Sequence, residues 1–103
     1  MKVYLDDERI APEGWVQCRW PDEVIALLQK GDVTEVSLDH DLGDDERGTG
    51  NDVILWIEEQ VYTNSFVPPK IYVHSANSSA KQKMLLGINS IERELRYIES
   101  NSC

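Results

Sequence analysis

The spacing of apolar residues changes period along this chain, and each change marks an element. Lys2 to Leu5 is short, apolar and β-prone and stops at Asp6-Asp7, which predicts a buried strand. After the turn signal Pro12-Glu13-Gly14, the run Trp15 to Arg19 reads as a second short strand. Pro21 followed by Asp22 and Glu23 suits the first turn of a helix, where negative charge meets the dipole, and Val24, Leu27 and Leu28 share one face until Gly31. Val33 to Leu38 predicts a third strand running into Asp39-His40-Asp41-Leu42-Gly43. Beyond a polar loop, Thr49 with Asp52 three residues on resembles a capping box. It opens a helix in which Val53, Ile54, Ile57 and Val61 recur at helical spacing, with Trp56 beside them, until Pro68-Pro69. Lys70 to Val73 is the fourth strand and ends at His74-Ser75. From about Ser79, with Gln82 as cap partner, Met84, Ile88, Ile91, Leu95 and Ile98 step along one face of a long terminal helix. That stripe is expected in the core, with a dimer face as the lesser alternative, and the last four residues, Ser100 to Cys103, are expected to fray.

The order β, β, α, β, α, β, α implies an α/β fold: a small parallel sheet of about four strands with right-handed crossovers covering both faces. Three of the strands finish in ionisable or polar residues, at Asp6-Asp7, Asp39-His40-Asp41 and His74-Ser75. Ligands of open parallel sheets sit beyond the carboxyl ends of the strands, so the unusual chemistry of the chain converges on one edge.

Charge narrows the partners. The chain has 103 residues and a net charge of −9, and is expected to be one domain over residues 1–103. Eight of its 19 acids fall in two short segments, Asp6 to Glu8 and Asp39 to Glu46, which contain no Lys or Arg. Elsewhere acids and bases nearly balance. Such an acidic surface with no basic stripe argues against an extended nucleic-acid groove, and a phosphate bound there calls for a metal ion. The longest apolar run is the five residues Val24 to Leu28, far short of the ~20 needed to cross a bilayer. The first residues reach Asp6 and Asp7 before any signal-peptide core forms, so a cytoplasmic location is expected. Cys18 and Cys103 are too far apart in sequence to suggest a disulfide framework or a zinc cluster.

Carboxylates brought together from separate strands repel unless a cation neutralises them. Asp6, Asp7 and Asp39 are therefore the candidate ligands of a hard divalent ion, Mg²⁺ or Mn²⁺, with Ca²⁺ also in the class. Asp44, Asp45 and Glu46 read as solvated loop charges.

The pattern resembles a response-regulator receiver domain (a flavodoxin-like fold). It has an acidic pair after strand one, Asp39 in the phospho-acceptor position, the hydroxyl and alanine of Ser75-Ala76 after strand four, and Gly48-Thr49-Gly50-Asn51-Asp52-Val53-Ile54 opening a helix. It lacks the receiver's fifth strand with its Lys, and Asp6 to Gly14 is too short for the usual first helix. The chain is more similar to a smaller receiver-like family, the cyclic-phosphate processing receiver domains. The motifs are Leu5-Asp6-Asp7-Glu8-Arg9 with Pro12 and Gly14-Trp15, then Ser37 to Gly43, Gly48-Thr49-Gly50 with Asp52-Val53, Trp56, and His74-Ser75-Ala76-Asn77. This resemblance implies a role in processing cyclic phosphate ends, in the setting of RNA repair.

Both histidines of the chain, His40 and His74, lie at the strand ends. Imidazoles with pKa values near ~6.5 are suited to acid and base roles in opening a 2′,3′-cyclic phosphate. For His40, packing is an equal alternative. Ser75 would orient the phosphate as the receiver hydroxyl does, or serve as a turn hydroxyl. Arg9 would clamp a phosphate oxygen or pair with Glu8 or Asp41. Asn77 is favoured as an N-cap, Trp15, Trp20 and Trp56 as core or rim packing residues over stacking on a base, and Gly48 and Gly50 suggest a mobile loop over the site. The expected function is a metal-dependent phosphoesterase acting on a small cyclic phosphate or an RNA end. Asp6, Asp7 and Asp39 would hold the ion, and His40, His74, Asp39 and Ser75 would act in catalysis, with an aspartyl-phosphate route through Asp39 as the variant. The alternative is a non-enzymatic receiver-like module that binds metal and phosphate and recruits a protein partner.

Overall fold

A computed structural model of the chain describes residues 1–42 and 46–101, with side chains through residue 98. Gly43, the loop charges Asp44 and Asp45, and Cys103 lie outside the described residues. The elements are β1 (Lys2–Leu5), β2 (Trp15–Cys18), α1 (Pro21–Lys30), β3 (Glu35–Leu38), α2 (Gly50–Asn64), β4 (Lys70–Val73) and α3 (Ser78–Asn101), in the expected order.

The boundaries shift for local reasons. Arg19 leaves β2 because its N–H, like that of Trp20, is taken by the Glu23 carboxylate at 3.0 Å, which anchors the start of α1. Gly31 ends α1 in the left-handed conformation, φ 88°, that a side chain would disfavour. Thr34 still reaches the Met1 carbonyl, but β1 begins only at Lys2, so regular pairing of β3 starts at Glu35 rather than Val33. Asp52 accepts the Thr49 N–H at 2.9 Å, as the capping pattern requires. Asn77 caps α3 by accepting the Ala80 N–H at 3.1 Å, which sets the first helical residue at Ser78. At its other end α3 includes Ser100 and Asn101, expected to fray.

The four strands are parallel, in the order β2-β1-β3-β4. Val3, Leu5, Val36 and Leu38 point to one face, where they join Val24 and Leu28 of α1, Val53, Ile54, Ile57 and Val61 of α2, and Met84 and Ile91 of α3 in one buried cluster. Each such side chain contributes about 1.5–3 kcal/mol when removed from water. The stripe of α3 is thus core, as expected.

Coverage of both faces is corrected by the structure: all three helices pack on this one. The opposite face carries Lys2, Tyr4, Trp15, Gln17, Glu35, Ser37, Lys70 and Tyr72, the alternate residues of the same strands. A helix could reach that face only through the β1–β2 connection, and Asp6 to Gly14 forms bends and a turn instead. Among the described residues no helix is long and apolar enough to cross a membrane.

Candidate functional site at the carboxyl edge of the sheet

Sheet register builds the site. Leu5, Leu38 and Val73 are cross-strand partners at the ends of β1, β3 and β4. The ladder runs one bond further on each: Asp39 N–H donates to the Leu5 carbonyl at 3.0 Å and His74 N–H to the Leu38 carbonyl at 3.1 Å. Asp6, Asp39 and His74 therefore emerge side by side. Strand order reverses between β2-β1 and β3-β4, so the trio straddles the switch point, where ligands of open α/β sheets bind. One ligand atom from each of the three lies within 4.8 Å of the others.

Asp6 is fixed from two sides. Its Oδ1 accepts the N–H groups of Glu8 at 2.8 Å and Arg9 at 2.9 Å, and its Oδ2 lies 3.1 Å from His74 Nε2. Burial opposes its ionisation, but the Arg9 and Glu8 N–H groups and the His74 ring outweigh it and hold the carboxyl below its ordinary value. Asp39 goes the other way. Burial and then the charge of Asp6 push it up, against the His40 N–H donated to its Oδ1 at 2.9 Å.

His74 is held at both ring nitrogens, with Nδ1 2.7 Å from Ser37 Oγ, and its ring stacks on Tyr4 at 4.3 Å between centroids and 8° between planes. Burial lowers its pKa, against the Asp6 and Asp39 charges. A neutral ring that donates Nε2–H to the Asp6 carboxylate must accept at Nδ1, so Ser37 is the donor there. Neither Tyr4 nor Ser37 carries a site role in the sequence reading, although Ser37 opens one of its motifs. Their signal is alternation: Tyr4 and Ser37 are cross-strand partners and lie two residues before Asp6 and Asp39, on the same side of the sheet.

The remaining candidates scatter around this centre. Asp7 lines a cavity of about 310 Å³ with Asp6, Glu8, Arg9, Asp39, Asp41 and Ala76, but is not one of the close trio. The Arg9 guanidinium donates to the His74 carbonyl at 3.2 Å rather than to Glu8 or Asp41. His40 Nδ1 pairs with Asp41 Oδ1 at 2.8 Å. Ser75 is buried, and its Oγ accepts the Asn77 N–H at 3.2 Å, the geometry of a turn hydroxyl. Trp56 packs edge-on to Phe66, and Arg47 sits 4.4 Å over Trp20. Trp15 is not in the core; it stands on the open face.

Gly50 is not part of a loop over the site. It is the first residue of α2, its N–H donates to the His40 carbonyl at 3.3 Å, and a Cβ there would collide with the Asp39 carbonyl. This glycine lets the helix press against the backbone that presents Asp39.

The donor set suits a hard divalent cation. Two carboxylates converge from neighbouring strands beside the His74 ring, and Asp39 is disfavoured as an anion by burial and by the charge of Asp6, an imbalance a cation would relieve.

A four-stranded parallel sheet with acids at its carboxyl edge defines a receiver-like α/β domain. The chain matches the family described as Cyclic-phosphate processing Receiver domain over residues 1–90, and it belongs to that family. No curated protein and no solved structure matches it.

Proposed function

We propose that the protein is a metal-dependent phosphoesterase that opens a cyclic phosphate, with 2′,3′-cyclic phosphate RNA ends as the substrate class. The observation that carries this reading is the meeting of the Asp6 and Asp39 carboxylates beside the His74 ring, within 4.8 Å, at the switch point of the sheet. Asp6 and Asp39 would hold the cation, with Asp7 at the rim of the same cavity. When bound, Mg²⁺ or Mn²⁺ supplies charge neutralisation for the phosphate and acidifies coordinated water. Arg9, on the cavity wall, offers a guanidinium to a phosphate oxygen. The neutral His74 keeps Asp6 oriented through its Nε2–H. With Nδ1–H donated to Asp41, His40 presents Nε2 as an acceptor, the form a general base needs. In the reaction water adds to phosphorus, the bond from phosphorus to one ribose oxygen breaks, and that oxygen leaves with a proton.

The test is turnover of a 2′,3′-cyclic nucleotide by the purified chain with Mg²⁺ or Mn²⁺ and with chelator. Turnover should require the metal, and Asp39→Asn should lower it by roughly 10²-fold or more while the fold persists. No turnover with any divalent metal sinks the reading, and a receiver-like module that binds metal and phosphate without chemistry takes its place.

A further inference from the structure

The open face of the sheet carries a second site, and we infer that its aromatic recess binds the nucleobase of the nucleotide whose phosphate reaches Asp6 and Asp39. The inference rests on the phosphoesterase reading for the phosphate half of the ligand.

The recess holds about 300 Å³, at the small end of ligand pockets, and is lined by Tyr4, Pro12, Trp15, Ser37, Tyr72 and His74 among others. Its rings stand at steep angles to one another. Trp15 stands edge-on to both Tyr4 and Tyr72, at 6.3 Å and 6.4 Å between centroids. Tyr72 is held by its hydroxyl, which donates to Glu35 at 3.0 Å. Across the middle of the sheet the register aligns Gln17, Tyr4, Ser37 and Tyr72, so one small side chain lies between two tyrosines. The His74 ring already stacks on the Tyr4 side of that space, so the base would take the Tyr72 and Trp15 side.

Three features choose a nucleobase over a covering helix. Strands of a parallel sheet buried on both faces read as continuous aliphatic runs. Here Lys2-Val3-Tyr4-Leu5 and Glu35-Val36-Ser37-Leu38 alternate, which is the pattern of a sheet with one face meant for water or for a polar aromatic ligand. The face is also electrostatically apart from the rest of the chain. Lys2 and Lys70 flank the rings, 5.7 Å over Trp15 and 5.4 Å over Tyr72, against the single acid Glu35, in a chain whose net charge is −9. Cations beside stacking rings match a base with its phosphodiester. Lastly, one residue links the recess to the acid site. His74 stacks on Tyr4 in the recess and meets Asp6 at the edge, so one nucleotide can place its base on one side of that ring and its phosphate on the other.

The experiment measures binding apart from turnover. Tryptophan fluorescence and NMR shifts of Trp15 and Tyr72 are followed while wild-type protein is titrated with a nucleoside, with a 2′,3′-cyclic nucleotide, and with a base-free ribose cyclic phosphate. The nucleoside and nucleotide should perturb Trp15 and Tyr72, and the base-free compound should not. Tyr72→Ala should weaken nucleotide binding by roughly 5- to 100-fold, the scale of one base–aromatic stack, whereas Tyr72→Phe should keep it. If Tyr72→Ala fails to fold, the wild-type shifts and Tyr72→Phe still decide. Asp39→Asn should lose turnover and retain the nucleoside response, so failure of the catalytic reading leaves this site standing. Equal turnover of the base-free and nucleotide substrates, or nucleoside titration that leaves Trp15 and Tyr72 unmoved, overturns the proposal while leaving the phosphoesterase reading intact.

Discussion

The two faces of the sheet are built from the same four strands, one residue out of phase, and differ in nearly everything else. On the covered face Val3, Leu5, Val36 and Leu38 are fully buried against three helices. On the open face Tyr4, Ser37 and Tyr72 alternate with them and form hydrogen bonds and ring contacts, and the same alternation continues into Asp6, Asp39 and His74. The covered face supplies the stability that lets the open face keep a costly arrangement, two neighbouring carboxylates at one edge. A crossover helix between β1 and β2 would have buried that chemistry.

The largest test of this division compares neighbours on β3. Leu38→Ala should cost about 2–5 kcal/mol in denaturant unfolding, because it opens a cavity among three helices. Ser37→Ala should cost on the order of 1 kcal/mol, the loss of one hydrogen bond, while freeing the His74 ring. Comparable costs for the two would erase the distinction between the faces.

Gly50→Ala acts at the seam between the covered layer and the site. The added carbon meets backbone, the Asp39 carbonyl, which has no rotamer to give. A loss of roughly 1–3 kcal/mol is expected, together with a weaker rise in melting temperature on adding Mg²⁺ or Mn²⁺. An unchanged metal response would separate the α2 start from the placement of Asp39.

The two carboxylates should respond oppositely when measured without divalent metal. The folded pKa of Asp6 lies below its ordinary value near 3.8, so its stabilisation is present above that pH and is lost as pH falls through the folded value. Asp39 is raised, so the folded state holds its proton better; stability drops as pH rises from 3.8 through the raised value and stays lower above it. His74 is lowered, so the unfolded chain takes its proton first and stability declines as pH falls below about 6.5. At pH 7 Asp6→Asn should therefore destabilise, by about 1.5–3 kcal/mol for its charge-assisted bonds, and Asp39→Asn should stabilise. Chemical denaturation from pH 3 to pH 8 reads both signs.

The smallest effect belongs to the rim of the open face. Lys2 sits 3.5 Å from Glu35, half exposed, and Lys2→Ala should change stability by less than about 1 kcal/mol, an effect that shrinks further in salt. A thermal melt at low and high salt checks it.

What the sequence determined by itself is local. Periodicity, Pro21, Gly31 and the Thr49–Asp52 cap mark the elements, because each acts within a few residues of its own position, whereas α2 stops at Asn64, with Ser65 in the left-handed conformation, ahead of Pro68-Pro69. The strand-end acids and histidines were legible for the same reason: a β-run stopping at Asp6 or Asp39 is visible without knowing its neighbours. The tertiary structure decided which of them meet. Register across β1, β3 and β4 selected Asp6, Asp39 and His74, left Asp7 at the rim, turned His40 toward Asp41, and brought in Ser37 and Tyr4, none of which is encoded at any single position. It also decided that one face stays bare. Handedness and connection length place every helix on the same side, and that is a property of the whole chain path rather than of any segment.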